Sequence, residues 1–388
     1  MMRETLRAVG EQLPVVGSNG SSLLRQYIHI HSGRRISRPS QIYVNVNQRC
    51  NLQCKYCDNW KSTGEGELPK EVWLNALEDL LSWARRPKVN ISGGEPFMRK
   101  DIYEILDLCV QKGALTGVVS NGYYFTEKLA PRVAGLGLTN INISMDSLEP
   151  KVFDYIRVNG RDGHTGRVVE SIQRIAHEIR RQGAKTKVFI KTVVNGANLD
   201  SLVPLVQFVE DNGLDGIMFQ PLEAVFGRPE EEDYGDEWFK HTDLWPEDPS
   251  IVQPYAAELI EMKANGAPIM NPTSHIEAWD PYFRDPIAGV GGQIGDSSEA
   301  CTIGHSHLYL NYNGDIHLCW DFPAIGNIAT DLVPGQWIGD GAESVRDGIA
   351  KCTEPCTKTC LLDRGLKETV STYVRLVSPR QAEAVETV

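Results

Sequence analysis

Residues 41–57 read QIYVNVNQRCNLQCKYC, a β-rich run that passes directly into three closely spaced cysteines. Alternating Ile, Val and Tyr over 41–47 predict a strand. Runs of the same kind recur as KVNISGG (88–94), TGVVSNG (116–122), NINISMD (140–146), KVFIKTVVN (187–195) and GIMFQPL (216–222). Between them lie segments of helical periodicity: PKEVWLNALEDLLSWARR (69–86), DIYEILDLCVQKG (101–113), EKLAPRVAGLG (127–137), GRVVESIQRIAHEIRRQG (166–183) and DSLVPLVQFVEDNG (200–213). Four of these end at or near a glycine, the usual helix C-cap. Strands alternating with helices mean βαβ units on a parallel sheet. Six repeats without dinucleotide glycine spacing favour a barrel-like winding over a Rossmann sheet. The expected fold is therefore α/β, a partial (βα)6 TIM-like barrel over residues 41–222.

Outside that core the rhythm stops. Residues 1–40 are polar and basic in places (Arg25, Arg34, Arg35, Arg38), with a short helix expected at 21–30 before a linker. His29 and His31 are read there as solvated. Residues 223–298 form a connecting region with an acidic loop, PEEEDYGDEW (229–238), and a helix near 253–265. Residues 299–362 read as a small cysteine-bearing domain. It contains a hairpin, HLYLNYNGDIHLCW (307–320), with Asn313-Gly314 as its turn. The span 363–388 is a polar tail.

The chain has 388 residues, 41% hydrophobic and 23% charged, a composition that suits a packed core rather than a disordered chain. A net charge of −12 argues against a general affinity for nucleic acid or anionic membranes. No apolar run has the length of a membrane span, and no secretory signal opens the chain. The expected location is the cytoplasm, with neither nucleic acid nor membrane as a partner. Nine cysteines are too few and too unevenly spread for a disulfide scaffold. Cys50, Cys54 and Cys57 form one group, and Cys301, Cys319, Cys352, Cys356 and Cys360 another. In a reducing compartment such grouping points to metal. Cys109, on the apolar face of EILDLCVQK, is read as a buried inert thiol.

Thiolates are soft ligands for iron–sulfur clusters and for zinc. In CNLQCKYC, one tight loop wraps three sulfurs around a point at the C-terminal mouth of the barrel, where such folds place their chemistry. Three cysteines without a neighbouring fourth leave a coordination position open, as catalytic sites do; a structural zinc loop borrowing a distant ligand is the other reading. At the next strand end stands SGGEP (92–96), two glycines that allow close backbone approach, or an ordinary turn.

Together, in order and at successive strand ends, CNLQCKYC and GGEP resemble the signature of radical S-adenosylmethionine enzymes. The resemblance implies a [4Fe–4S] cluster on Cys50, Cys54 and Cys57, with Tyr56 in the aromatic slot and a fourth iron open to S-adenosylmethionine. It implies reductive cleavage to a 5′-deoxyadenosyl radical, with the electron coming from a flavodoxin or ferredoxin. Gly93, Gly94, Glu95 and Pro96 would meet the methionyl amino group. Ser120 and Asn121 at the third mouth, and Ser144 and Asp146 at the fourth, offer hydrogen-bonding groups for ribose or carboxylate, or else cap turns. Lys191 is a carboxylate partner if it faces the barrel interior, or a paired structural lysine.

The later cysteines resemble the auxiliary-cluster domains called SPASM and Twitch, which follow many radical S-adenosylmethionine cores. Cys301 is followed after twelve residues by Gly314, and after four more by Cys319. Cys352, Cys356 and Cys360 follow, giving five cysteines where the full SPASM pattern has seven. One auxiliary [4Fe–4S] cluster on four of the five is expected, with one cysteine spare. His305 and His307 are not needed as ligands. The implied reaction is hydrogen abstraction from a substrate C–H bond and net oxidation through the auxiliary cluster. The runner-up is a redox-neutral epimerase in which the spare cysteine among Cys352, Cys356 and Cys360 donates hydrogen. An iron–sulfur electron carrier is the reading of another class. Relatives with auxiliary domains act on peptides, aminoglycosides or nucleotides. Forty N-terminal residues are short for a leader-peptide domain, which leans the expectation towards a small polar molecule, with a peptide still open.

Overall fold

The structure, a computed structural model, describes residues 21–22, 24–158, 163–225, 234–287 and 301–352. Six strands alternate with helices as the periodicity requires: β1 (Gln41–Asn45), β2 (Lys88–Ser92), β3 (Leu115–Ser120), β4 (Asn140–Ser144), β5 (Lys187–Val194) and β6 (Gly216–Pro221). They pair in parallel in sequence order. The intervening helices are α1 (Lys70–Ala84), α2 (Ile102–Gln111), α3 (Ala130–Ala134), α4 (Pro150–Arg157), α5 (His164–Arg181) and α6 (Leu202–Asp211). This is the expected partial barrel, and a parallel sheet of this kind needs helical crossovers of about this length.

One strand parity faces the helices. Ile42, Val44, Val89, Ile91, Val118, Ile141, Ile143, Val188 and Ile190 are all fully buried in the core. The other parity forms the inner face and is polar and aromatic: Tyr43, Asn45, Asn90, Ser92, Asn142, Ser144, Lys191, Met218 and Gln220 share matching register positions. Hydrophobic burial therefore fixes which side chains line the space where a substrate would lie.

The cysteine-bearing segment does contain a hairpin, β7 (His307–Leu310) with β8 (Asp315–His317), followed by β9 (Gly326–Asn327). It does not stand apart from the barrel. β7 pairs in parallel with β1, Gln41 opposite His307, so the sheet runs β6-β5-β4-β3-β2-β1-β7-β8-β9. The turn also differs in detail. Gly314 N donates to Asn311 O at 2.8 Å, so Tyr312 and Asn313 are the central pair. Gly314 follows in the left-handed region at φ +93°. A three-residue loop closed by a left-handed glycine matches the strand twist as a two-residue Asn-Gly turn would.

The N-terminal segment corrects a second expectation. Residues 24–32 are helical, but His29 is buried rather than solvated. Its ring meets Ser37 Oγ at 2.6 Å and Glu343 Oε1 at 3.1 Å, on α8 (Asp340–Ile349). Trp337 Nε1 donates to Ser37 O at 2.9 Å. Helix α7 (Val252–Ala264) lies within one residue of the expected span, and Cys109 is fully buried as anticipated. Among the described residues no helix is long and apolar enough to cross a membrane.

Candidate active site

The loop Cys50–Cys57 leaves the C-terminal end of β1 and is tied down from two sides. Gln53 N and Lys55 N donate to Arg157 O and Ile156 O, at 3.1 and 2.9 Å, satisfying carbonyls at the end of α4. Lys55 Nζ pairs with Asp243, which also accepts from Tyr155 at 2.7 Å. On the other side, Gly94 N donates to Asn47 O and Glu95 N to Arg49 O, both at 2.9 Å. A Cβ on Gly94 would lie 2.1 Å from Gln48 O and 2.3 Å from Arg49 O. One on Gly93, at φ +144°, would lie 2.4 Å from Asn47 O. The glycines thus admit the root of the cysteine loop itself. The sequence suggested room for a ligand; the contact is backbone on backbone.

Glu95 is likewise turned inward. Its carboxylate is fully buried and accepts from Phe97 N (3.1 Å), Asn121 N (2.8 Å) and Ser120 Oγ (3.0 and 3.1 Å). It caps the turn that Pro96 opens and staples the end of β2 to that of β3. Burial pushes its pKa up to about 7, against the lowering effect of those donors. Asn121 is also committed: Nδ2 donates to Asn51 Oδ1 at 2.9 Å and lies 3.8 Å from Cys50 Sγ. Ser120 and Asn121 therefore brace the loop, although the sequence offered them to a ribose.

Asp146 has the same character. It is fully buried and meets Arg157 Nε at 2.8 Å, Tyr56 OH at 2.8 Å and Val193 N at 2.8 Å. Tyr56 is thus anchored through its hydroxyl to the end of β4. Arg157 Nη1 reaches to 4.0 Å from Cys54 Sγ. Sequence reasoning missed Arg157. Its signal was a cation closing the otherwise amphipathic run PKVFDYIR.

The three thiols lie within electrostatic reach of one another. Burial pushes Cys50, Cys54 and Cys57 up to about 12, and each is raised further by another of the three. Ligand thiolates at neutral pH therefore need positive charge brought from outside. The surroundings suit that. Backbone donors at Leu52 and Asn59 favour the anions of Cys50 and Cys57, and Arg157 favours that of Cys54. Asn51 Nδ2 is buried beside them without a protein partner. Among the described residues no group of three or more His, Cys, Asp or Glu closes around one ion. Thiolates are the ligands that iron–sulfur clusters take. The donor set fits an iron–sulfur cluster with an open position.

Two expected contacts remain uncommitted. Ser144 and Lys191 sit opposite each other on β4 and β5, both half-buried on the inner face. Lys191 has no ion-pair partner among the described residues.

Of the later cysteines, Cys301, Cys319 and Cys352 are described, with no disulfide between them. Cys301 and Cys319 pack on the same apolar core. Cys319 follows β8, its Sγ 3.5 Å from Asp321 Oδ2, and Cys352 N closes on Ile349 O at the end of α8. Cys356 and Cys360 lie outside the described residues. Burial holds the pKa of His305 down to about 3, and its ring stands edge-on to His29.

Residues 44–209 match the model of the Radical SAM superfamily. Mitochondrial GTP 3',8-cyclase of Arabidopsis thaliana is 32% identical over 191 residues, 47% of this chain and 46% of that protein. GTP 3',8-cyclase of Peptoclostridium acidaminophilum is 33% identical over 209 residues, 51% of this chain and 57% of that one. The matched stretch spans about half the length of these relatives. Among solved structures, Streptococcus suis SuiB bound to S-adenosylmethionine superposes with a TM-score of 0.61 at 17% identity, over 82% of this chain and 70% of SuiB. Native anSMEcpe with bound AdoMet and Cp18Cys peptide gives 0.57 at 15%, over 87% and 88%. At those identities the likeness is one of fold. With motifs, fold and sequence likeness in agreement, residues 44–209 form a radical S-adenosylmethionine domain.

Proposed function

We propose that Cys50, Cys54 and Cys57 hold a [4Fe–4S] cluster, that Ser144 and Lys191 orient the carboxylate of S-adenosylmethionine, and that the enzyme carries out a net oxidation at a substrate C–H bond. The observation that carries this reading is the set of three half-buried thiols at one strand mouth, with N–H donors and Arg157 directed at them. When bound, these groups supply one-electron cleavage of the sulfonium and a hydrogen-abstracting radical; an auxiliary [4Fe–4S] cluster on four of Cys301, Cys319, Cys352, Cys356 and Cys360 supplies an acceptor for the second electron. Glu95 and Asp146 act as positioning residues, fixing the ends of β2, β3 and β4 around the loop. The continuous sheet, in which β7 lies beside β1, joins the strand that leads into the first cysteine loop to the hairpin that leads into Cys319. A flavodoxin- or ferredoxin-type protein is the proposed reductant.

The inner face favours a polar, uncharged substrate such as an amide-bearing molecule or a peptide segment. Asn45, Asn90 and Asn142 offer amides there, beside the stacked rings of Tyr43 and Tyr309 at 5.1 Å. SuiB and anSMEcpe, which share the fold, have been solved with a precursor peptide and a Cp18Cys peptide. A second reading, ring closure on a nucleoside triphosphate, is favoured by the relatives named GTP 3',8-cyclase. Lys191 is a sparse counterpart for a triphosphate.

Anaerobic reconstitution tests the core of the proposal. The protein should hold about eight irons, falling to about four when Cys50, Cys54 and Cys57 are all replaced by alanine. It should release 5′-deoxyadenosine with a strong reductant and S-adenosylmethionine, and the triple variant none. Zinc without iron in the wild type would overturn it. Stimulation of that release by GTP, and not by an amide-bearing substrate, would select ring closure. The spare cysteine separates oxidation from epimerisation: product formed in deuterated water should carry no deuterium at carbon if the reaction is an oxidation.

A further inference from the structure

At the opposite end of the barrel from the cysteine loop, where β1 and β2 begin, four arginines line one cleft. Arg25 comes from the N-terminal helix, Arg38 from the segment before β1, and Arg85 and Arg86 from the connection between α1 and β2. The cleft has a volume of about 210 Å³, room for roughly seven waters at about 30 Å³ each. Ser21, Ser22 and Ser40 add polar groups to its lining, and among the described residues no carboxylate contributes to it. None of the four arginines has an ion-pair partner among the described residues, in a chain whose net charge is −12. Arg38 is held below its ordinary pKa by burial and then by Arg25 and Arg85, which shows how closely the charges crowd.

Service to the end of α1 does not account for the cluster. Arg38 Nη1 does donate to Trp83 O at 2.7 Å, as cations near helix C-termini do. Among the described residues, the side chains of Arg85 and Arg86 reach no such carbonyl. Instead both residues are held at φ 56°, the only described non-glycine residues with positive φ. Long side chains seldom occupy that region, and two in succession mark a connection under constraint. Arginines brought from three segments to a small cleft, with no carboxylate among its described lining residues, suit the planar, multidentate recognition of phosphate oxygens.

We infer that the cleft formed by Arg25, Arg38, Arg85 and Arg86 is a binding site for a phosphate group, either free or as the tail of a nucleotide. It lies about 16 Å of strand away from the cysteine loop and is independent of the chemistry proposed there.

Calorimetry on the full chain with sodium phosphate, tripolyphosphate and ATP, against sodium chloride at matched ionic strength, tests it. Saturable binding of one equivalent is expected. Equal affinity for tripolyphosphate and ATP assigns the site to free phosphates, and much tighter ATP assigns it to a nucleotide. Arg85→Gly/Arg86→Gly should weaken binding at least tenfold while keeping the fold, because glycine adopts the left-handed region without steric cost. Arg25→Gln, on a separate segment, should weaken it as well. Binding no stronger than chloride, or unchanged in both variants, would overturn the inference.

Discussion

The hydroxyl of Tyr56 donates to Asp146 Oδ2 at 2.8 Å, so the aromatic residue of the cysteine loop is anchored by polarity and not only by packing. The same carboxylate carries Arg157, which reaches on to Cys54. Removing one partner of a buried ion pair costs about 3–5 kcal/mol; removing one hydrogen bond to a charged group costs about 1.5–3 kcal/mol. Asp146→Ala should therefore destabilise the apo protein by about 3–5 kcal/mol, and Tyr56→Phe by about half that, in urea unfolding. Equal losses would mean that the Asp146–Arg157 pair is not what holds this corner.

Gly94→Val should lose iron, since its side chain collides with the carbonyls of Gln48 and Arg49 next to Cys50. Iron analysis and cluster absorbance after anaerobic reconstitution read this directly. Full iron with weakened cofactor binding would return the glycine to a ligand-facing role.

Stability should depend on pH through Glu95. Its folded pKa of about 7 lies above the value of an unfolded glutamate, so the folded state binds the proton more tightly. The stabilisation is fully present below about pH 4.5 and is lost as pH rises towards and through 7, by an amount on the order of 3 kcal/mol for a shift of this size. Unfolding measured from pH 5 to 8 should show this decline in the wild type and a flatter profile in Glu95→Gln.

Lys191→Met should leave stability within about 0.5 kcal/mol, because the amine has no ion-pair partner among the described residues to lose. Affinity for S-adenosylmethionine should fall roughly ten- to hundredfold, the worth of a charge-assisted hydrogen bond, with iron content unchanged. Unaltered affinity would remove Lys191 from the site.

The strands and helices of the barrel were legible because burial of one parity imposes a period that the sequence displays, as in Ile42, Val44 and Val46. The cysteine loop was legible because its ligands are local in sequence. What escaped were contacts made across the fold. Nothing near Glu95 announces that it will face Ser120 and Asn121, and nothing in HLYL states that it will lie beside Gln41. The fully buried pattern of β7 carried a trace of that pairing, since a strand covered on both faces suits a parallel sheet better than a free hairpin.

The pairing of β1 with β7 has a consequence during synthesis. Gln41 waits for His307, 266 residues later by their numbers, before its second neighbour exists. At about 5–20 residues per second the ribosome leaves that edge of β1 open for about 13–53 s. An open strand edge next to exposed thiols invites pairing with other chains and oxidation. Production under conditions that slow elongation should therefore favour aggregates, and occupancy of the first cysteine group before the last quarter emerges should suppress them.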